Sequence, residues 1–195
     1  MDNPLLDRKS SIILATVDVI ERFGFQGLSI REVAKIVGIS EPAILKHFKT
    51  KNLLVLAVLD YFSKYDSDIM HSIEAKKMKP IEAVIHFIDA YAAYYENYPA
   101  ITAITQSFDL LRIDPFFSEK VQSIYFTRTN FISDKIKLAQ KNGEINTNIS
   151  SENLAMVIMG LNRESCLNWR MRGYNYSLRK QVLSTLQILL EAFKI

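Results

Sequence analysis

Two short helical segments are punctuated so closely around Gly38 that few chain geometries can join them. Ser29 and Glu32 form a Ser-x-x-Glu capping box, in which the two residues reciprocally satisfy free backbone N–H groups and so start a helix. Val33, Ile36 and Val37 give that helix an apolar stripe at spacings of three and four. Gly38 stands where a left-handed residue would end it. Ser40 then caps a second short helix, with Glu41 favourable near its positive end and Pro42 tolerated in its first turn. Two short helices about a Gly-containing turn predict a helix-turn-helix, the unit that places its second helix in a DNA major groove.

Helical periods continue through the rest of the chain, with no strand-length alternation between them. A first helix is expected from about Leu6 to Phe23, burying Ile13, Val17, Ile20 and Phe23, with Gly24 past its end. Ile44 and Phe48 complete the core of a three-helix unit. Thr50 caps a fourth helix, whose Leu53, Leu54, Val58 and Phe62 lead away from the motif. Pro80 opens a helix that reaches Tyr98 before Pro99 stops it, and Asp114-Pro115 repeats the device. That second helix carries Phe116, Val121, Ile124, Phe131 and Ile136, and ends at Asn142-Gly143. Ser150 or Ser151 caps a helix from about Glu152 to Arg172, closed by Gly173. Ser177 caps the last, which carries Leu178, Val182, Leu186, Leu189 and Phe193. The prediction is an all-α chain of about nine helices: a helix-turn-helix domain at 1–52 and a larger helical domain at 53–195.

An apolar share of 49% supports a substantial core and argues against disorder. The net charge of +3 permits a nucleic-acid partner without arguing for one. A single cysteine, Cys166, excludes an intrachain disulfide and a Cys-based zinc cluster. The first residues lack the basic and long apolar regions of a signal peptide, and no run approaches the length of a membrane span. A cytoplasmic protein without membrane contact is expected.

The set Phe23-Gly24, Leu28-Ser29-Ile30, Val33-Ala34, Val37-Gly38-Ile39-Ser40, Ile44, His47-Phe48 and Lys51 with Leu53-Leu54 carries a family pattern. Through it, residues 8–56 resemble the DNA-binding domain of the TetR family of bacterial one-component regulators. The resemblance implies a DNA-binding head on an all-α body that binds an effector and dimerises. Two positions depart from the pattern. Leu45 stands where most members carry a phosphate-contacting Tyr, and Pro42 where a small residue or glycine is usual. Leu45 cannot donate a hydrogen bond, so that contact is lost or passes to Lys46 or His47. Weaker or more salt-sensitive binding is then expected. The candidate DNA contacts are Ser29, Ser40, Glu41, Pro42, Ala43, Leu45, Lys46, His47 and Lys51. Among them Glu41 can accept from a cytosine amino group, and the two serines can touch phosphates at helix N-termini.

Phe87, Tyr91, Tyr94, Tyr95 and Tyr98 form an aromatic stripe on one predicted helix. Core packing is the ordinary role of such a stripe, yet several buried phenols need partners. The resemblance implies an effector pocket in this region, and Phe62, Phe87, Tyr91, Tyr94, Tyr95, Phe108, Phe117 and Tyr125 are its candidates. Such a lining suits a small, largely apolar or aromatic ligand. The last two helices, about 152–172 and 178–193, are apolar on more than one face. The resemblance implies that they form a four-helix bundle with their two-fold copy. Gly160 in the first of them is explained if another helix crosses closely there.

Glu82 with His86, and Asp68 with His71, are spaced for paired metal ligands but lack further ligands nearby, so no metal or cofactor is expected. The chain carries no nucleophile elbow, P-loop or dinucleotide fingerprint, and is not expected to be an enzyme. The leading expectation is a homodimeric repressor on a pseudo-palindromic operator, released by a small effector. The alternatives are a DNA-bound adaptor for a protein partner, and a ligand-binding protein that has lost DNA recognition.

Overall fold

Ten α-helices and one short 3₁₀ helix occur among residues 7–195, the part of the chain described by the computed structural model. Leu6, the expected start of the first helix, lies outside those residues. The helices are α1 (Arg8–Gly27), α2 (Ile30–Val37), α3 (Glu41–His47), α4 (Lys51–Ala75), α5 (Pro80–Asn97), α6 (Thr102–Gln106), α7 (Phe108–Ile113), α8 (Pro115–Lys141), α9 (Ser151–Met171) and α10 (Leu178–Glu191), with the 3₁₀ helix at Pro99–Ile101. The described residues form two compact units: 7–64 with Pro99–Gln122, and Tyr65–Tyr98 with Ser123–Ile195.

In the first unit, α1 buries Ile12, Ile13, Ala15, Thr16, Val17, Val19 and Ile20, a stripe wide enough to meet two partners. One partner is α2; the other is the 3₁₀ helix with α6. Asp7 caps α1 by accepting from the Ser10 N–H at 2.9 Å. In the second unit, α5 buries Val84, Phe87, Ile88, Tyr91 and Tyr95 at spacings of three and four, and packs on α10. The buried residues of α10, Leu178, Val182, Leu186 and Leu190, recur every fourth position, and α10 also packs on α9. Ser177 caps α10 while its hydroxyl donates to Glu96 at 3.1 Å, and Arg179 pairs with Asp89 at 2.5 Å, which fixes α10 to α5.

Several sequence expectations need correction. The first helical run breaks at Gly24 as expected, where φ 68, ψ 176 is non-helical, but a further helical turn beyond the expected end carries α1 across this kink to Gly27. Phe23, expected to be buried, is 55% exposed. Its side chain lies over Gly27, where an added Cβ would come within 2.6 Å of the Phe23 Cβ. Ile36 and Phe116 are also exposed, and Ala34 takes the buried place beside Val33. The helices beyond the expected nine lie in residues 99–113, where α6 and α7 are separated at Ser107 (φ −95, ψ 7). Helices of five and six residues are too short to show a period. Nothing in the described chain crosses near Gly160, where an added Cβ would meet no atom within 4 Å. An isolated antiparallel bridge joins Ile145 to Lys194.

Candidate nucleic-acid interface and effector region

The helix-turn-helix is held by contacts between near neighbours in sequence. Ser29 Oγ accepts from the Glu32 N–H at 3.2 Å and starts α2. The reciprocal half of the predicted capping box does not close, because the Glu32 carboxylate turns to Lys35 at 2.6 Å. Gly38 takes φ 73, ψ 32, and the N–H groups of Gly38 and Ile39 both donate to the Ala34 carbonyl, at 2.9 and 3.1 Å. This left-handed turn satisfies the Ala34 carbonyl near the helix end with two donors. Ser40 Oγ accepts from the Ala43 N–H at 3.4 Å and starts α3. Thr50 Oγ1 then accepts from the Leu53 N–H at 3.1 Å and starts α4.

α3 has two faces. Ile44 (0% exposed) and Phe48 (4%) seat it in the first unit's core, and the Lys9 ammonium lies 5.7 Å over the Phe48 ring. The other face presents Glu41, Pro42, Leu45, Lys46 and His47 to solvent, with Ala43 half-buried. Ser40 and Lys51 are exposed beside it, and Ser29 is half-buried at the start of α2. The structure therefore brings the nine candidate contacts onto the motif and its borders. Sequence reasoning passed over Arg31 and Lys49, which are exposed cations on the same segment. The signal lay in the charge distribution. Residues 29–51 hold five Lys or Arg against two Glu, so the net charge of this stretch equals the whole chain's +3. The mild overall charge hides a basic segment centred on the motif.

The aromatic candidates divide between the units. Phe62, Phe108 and Phe117 belong to the first; Phe87, Tyr91, Tyr94, Tyr95 and Tyr125 belong to the second. In the second unit Phe87 is fully buried, and Tyr91 and Tyr95 nearly so. Their rings meet at centroid distances of 4.9 Å (Phe87–Tyr91) and 5.7 Å (Tyr91–Tyr95). Tyr94 stacks at 4.4 Å on Tyr65, whereas Tyr125 is largely exposed and meets only the edge of Phe126 at 5.3 Å. Phe87, Tyr91 and Tyr95 fill the core, the ordinary role of such a stripe.

At the centre of that core lies a buried ion pair that sequence reasoning missed. Asp66 accepts from the Arg128 guanidinium at 2.8 and 3.0 Å and from the Tyr91 hydroxyl. The guanidinium also lies 4.8 Å over the Tyr91 ring. Burial alone would lower the Arg128 pKa, but Asp66 and Tyr95 outweigh it and hold the guanidinium above its ordinary value. Tyr91 thus finds the hydrogen-bond partner that a buried phenol requires.

Among the described residues, no group of three or more His, Cys, Asp or Glu is placed to hold a metal ion. No helix there is long and apolar enough to cross a membrane.

Comparison with known proteins fits this geometry. Residues 12–58 match the model of the bacterial regulatory proteins of the tetR family. The transcriptional regulator RutR of Escherichia coli K12 is 35% identical over 52 residues. That alignment covers 27% of this chain and 24% of RutR, so the match spans about a quarter of the relative's length. Over nearly the full chain the likeness is one of fold. The fatty acid degradation regulator FadR from Bacillus halodurans superposes with a TM-score of 0.82 at 18% identity, covering 95% of this chain and 96% of that one. FadR from Bacillus subtilis in complex with stearoyl-CoA gives 0.78 at 21% identity, covering 93% and 97%. With the helix-turn-helix formed as its residues dictate, residues 12–58 are a DNA-binding domain of the bacterial regulatory proteins of the tetR family, carried on an all-α body that shares the fold of these regulators.

Proposed function

We propose that the protein is a homodimeric repressor that reads a pseudo-palindromic operator through residues 1–52 and senses a small apolar or aromatic effector through residues 53–195. The observation that carries this reading is α3, anchored inward by Ile44 and Phe48 and facing solvent with Glu41, Pro42, Leu45, Lys46 and His47. Lys46, Lys49, Lys51 and Arg31 supply phosphate contacts, and Glu41 supplies base readout. A two-fold copy would set two α3 helices about 34–36 Å apart, one turn of B-DNA. For the dimer face, α9 exposes Met156 (51%) and Val157 (47%), and α10 exposes Ile188 (72%). The open space at Gly160 leaves room there for a partner's helix. A cytoplasmic location follows from this role.

The effector reading draws support from FadR of Bacillus subtilis, which was crystallised with stearoyl-CoA. Because Phe87, Tyr91 and Tyr95 fill the core here, an effector among them has to select a more open conformation. Its effect on DNA affinity is then reciprocal: DNA weakens effector binding by the same factor.

The adaptor reading has one observation in its favour. A groove of about 580 Å³ in the second unit is lined by Ile81, Ile85, Ile145, Leu183, Leu190 and Ile195. Gel-shift titration against the DNA upstream of the protein's own gene tests the regulator reading. Retention of that DNA at protein concentrations far below those needed for a scrambled duplex is the expected result. Equal retention of both duplexes would overturn it.

A further inference from the structure

The first unit holds a cavity of about 430 Å³ beside the helix-turn-helix, within the size range of small-molecule sites. Its walls are apolar: Phe25 and Leu28 at the end of α1, Val55 on α4, Leu111 on α7 and Phe117 on α8. Gln26, Lys51 and Asn52 stand at its rim, and their side-chain polar groups have no partner among the described residues. Asp114 completes the rim, its carboxylate accepting the Phe116 N–H at 2.8 Å.

We propose that this cavity binds a small monocarboxylate with an aromatic body, and that the bound carboxylate competes with DNA for Lys51. The sign of the ligand follows from Lys51, whose free ammonium sits on the first turn of α4, at the positive end of a 25-residue helix. The amides of Gln26 and Asn52 add neutral donors. Asp114 opposes a second negative charge, so a phosphate or dicarboxylate fits less well. The Phe25 and Phe117 rings suit a flat aromatic body, which gains from ring contacts beyond its buried area.

The cavity also borders both ends of the motif. Leu28 immediately precedes the cap Ser29, and Lys51 immediately follows the cap Thr50. A carboxylate held by Lys51 withdraws that cation from the DNA surface. This second half rests on the reading of Lys51 as a phosphate contact.

The test titrates 4-phenylbutanoate, its neutral alcohol and its amine into the full-length protein without DNA. Methyl NMR signals of Leu28, Val55 and Leu111 report binding. The carboxylate should bind about tenfold tighter than the alcohol, the factor of one charge-assisted hydrogen bond, and the amine weakest. Lys51→Met should erase the preference, and Leu111→Trp, which fills the cavity, should abolish all three interactions. Equal affinity for the three probes, a preference unchanged in Lys51→Met, or shifts confined to other methyl groups would overturn the site.

In the presence of operator DNA the carboxylate should raise the apparent Kd for DNA. A carboxylate that binds while DNA affinity stays constant would overturn the competition. A protein that binds the carboxylate as expected yet distinguishes no DNA sequence would uphold the site and refute the regulator reading, so the two failures are separable.

Discussion

The helix-turn-helix and the core of the second unit are stabilised over different ranges of chain. Ser29 reaches Glu32, Ser40 reaches Ala43 and Gly38 reaches Ala34, each within a turn of helix. In the second unit Asp66 meets Arg128 across 62 positions and Tyr91 across 25. The local contacts are individually small and replaceable, as caps and turns are. The long-range contacts concentrate charge in a buried place, where losing one partner strands the other. The first region is therefore built to present a fixed surface. The second is built so that the loss of one partner has a large consequence.

The sharpest way to break this comparison is Arg128→Met, which leaves the Asp66 carboxylate buried without its guanidinium partner. A loss of about 3–5 kcal/mol in denaturant unfolding is expected. Adding Asp66→Leu should recover most of that loss, because the desolvation cost leaves together with the pair. A single substitution that costs nothing would show that the pair is not the second unit's keystone.

Next in size is Gly38→Ala. An added Cβ meets no atom within 4 Å there, so its cost comes from the left-handed backbone alone, about 1–2 kcal/mol. Gly38→Asn should cost less, since Asn tolerates that conformation, and comparing the two melting curves checks the assignment. Ser40→Ala removes a long cap bond of 3.4 Å and should cost about 0.5–1 kcal/mol in the same assay.

The smallest effect concerns pH. Hydrogen bonds from the Ser10 N–H and hydroxyl hold the Asp7 carboxyl below its ordinary value. A depressed carboxylate stabilises the fold above its unfolded value, and that contribution is lost as the pH falls through the folded value. Asp7→Ala should therefore flatten the acid limb of the stability profile slightly and leave neutral pH behaviour to the lost cap.

The same contrast of range explains what could be read from the residues. Ser29, Gly38, Ser40, Thr50, Pro80, Asp114-Pro115 and Ser177 mark element ends by their own chemistry, and each marks an end in the structure. The second capping bond of Glu32 failed because Lys35, one turn on, competes for its carboxylate. Phe23 shares a helical face with the buried Ile20 but is the last residue before the break at Gly24, and its ring is exposed there. Asp66 and Arg128 each look like an ordinary polar position on a long helix. Only the tertiary fold reveals that both are buried and joined. The aromatic stripe was visible from spacing, but whether its rings enclose a space or fill one depends on neighbours far along the chain.

The most direct test of the central claim, that the solvent face of α3 reads DNA, is an amide and methyl NMR footprint of the protein on duplex DNA from its own upstream region. The perturbed signals should cluster at Glu41–His47 and Lys51. Lys46→Ala should weaken binding across all sequences and reduce the slope of log affinity against log salt by about 1. Perturbations spread elsewhere with the α3 signals unmoved, or a salt slope unaltered in Lys46→Ala, would contradict the account.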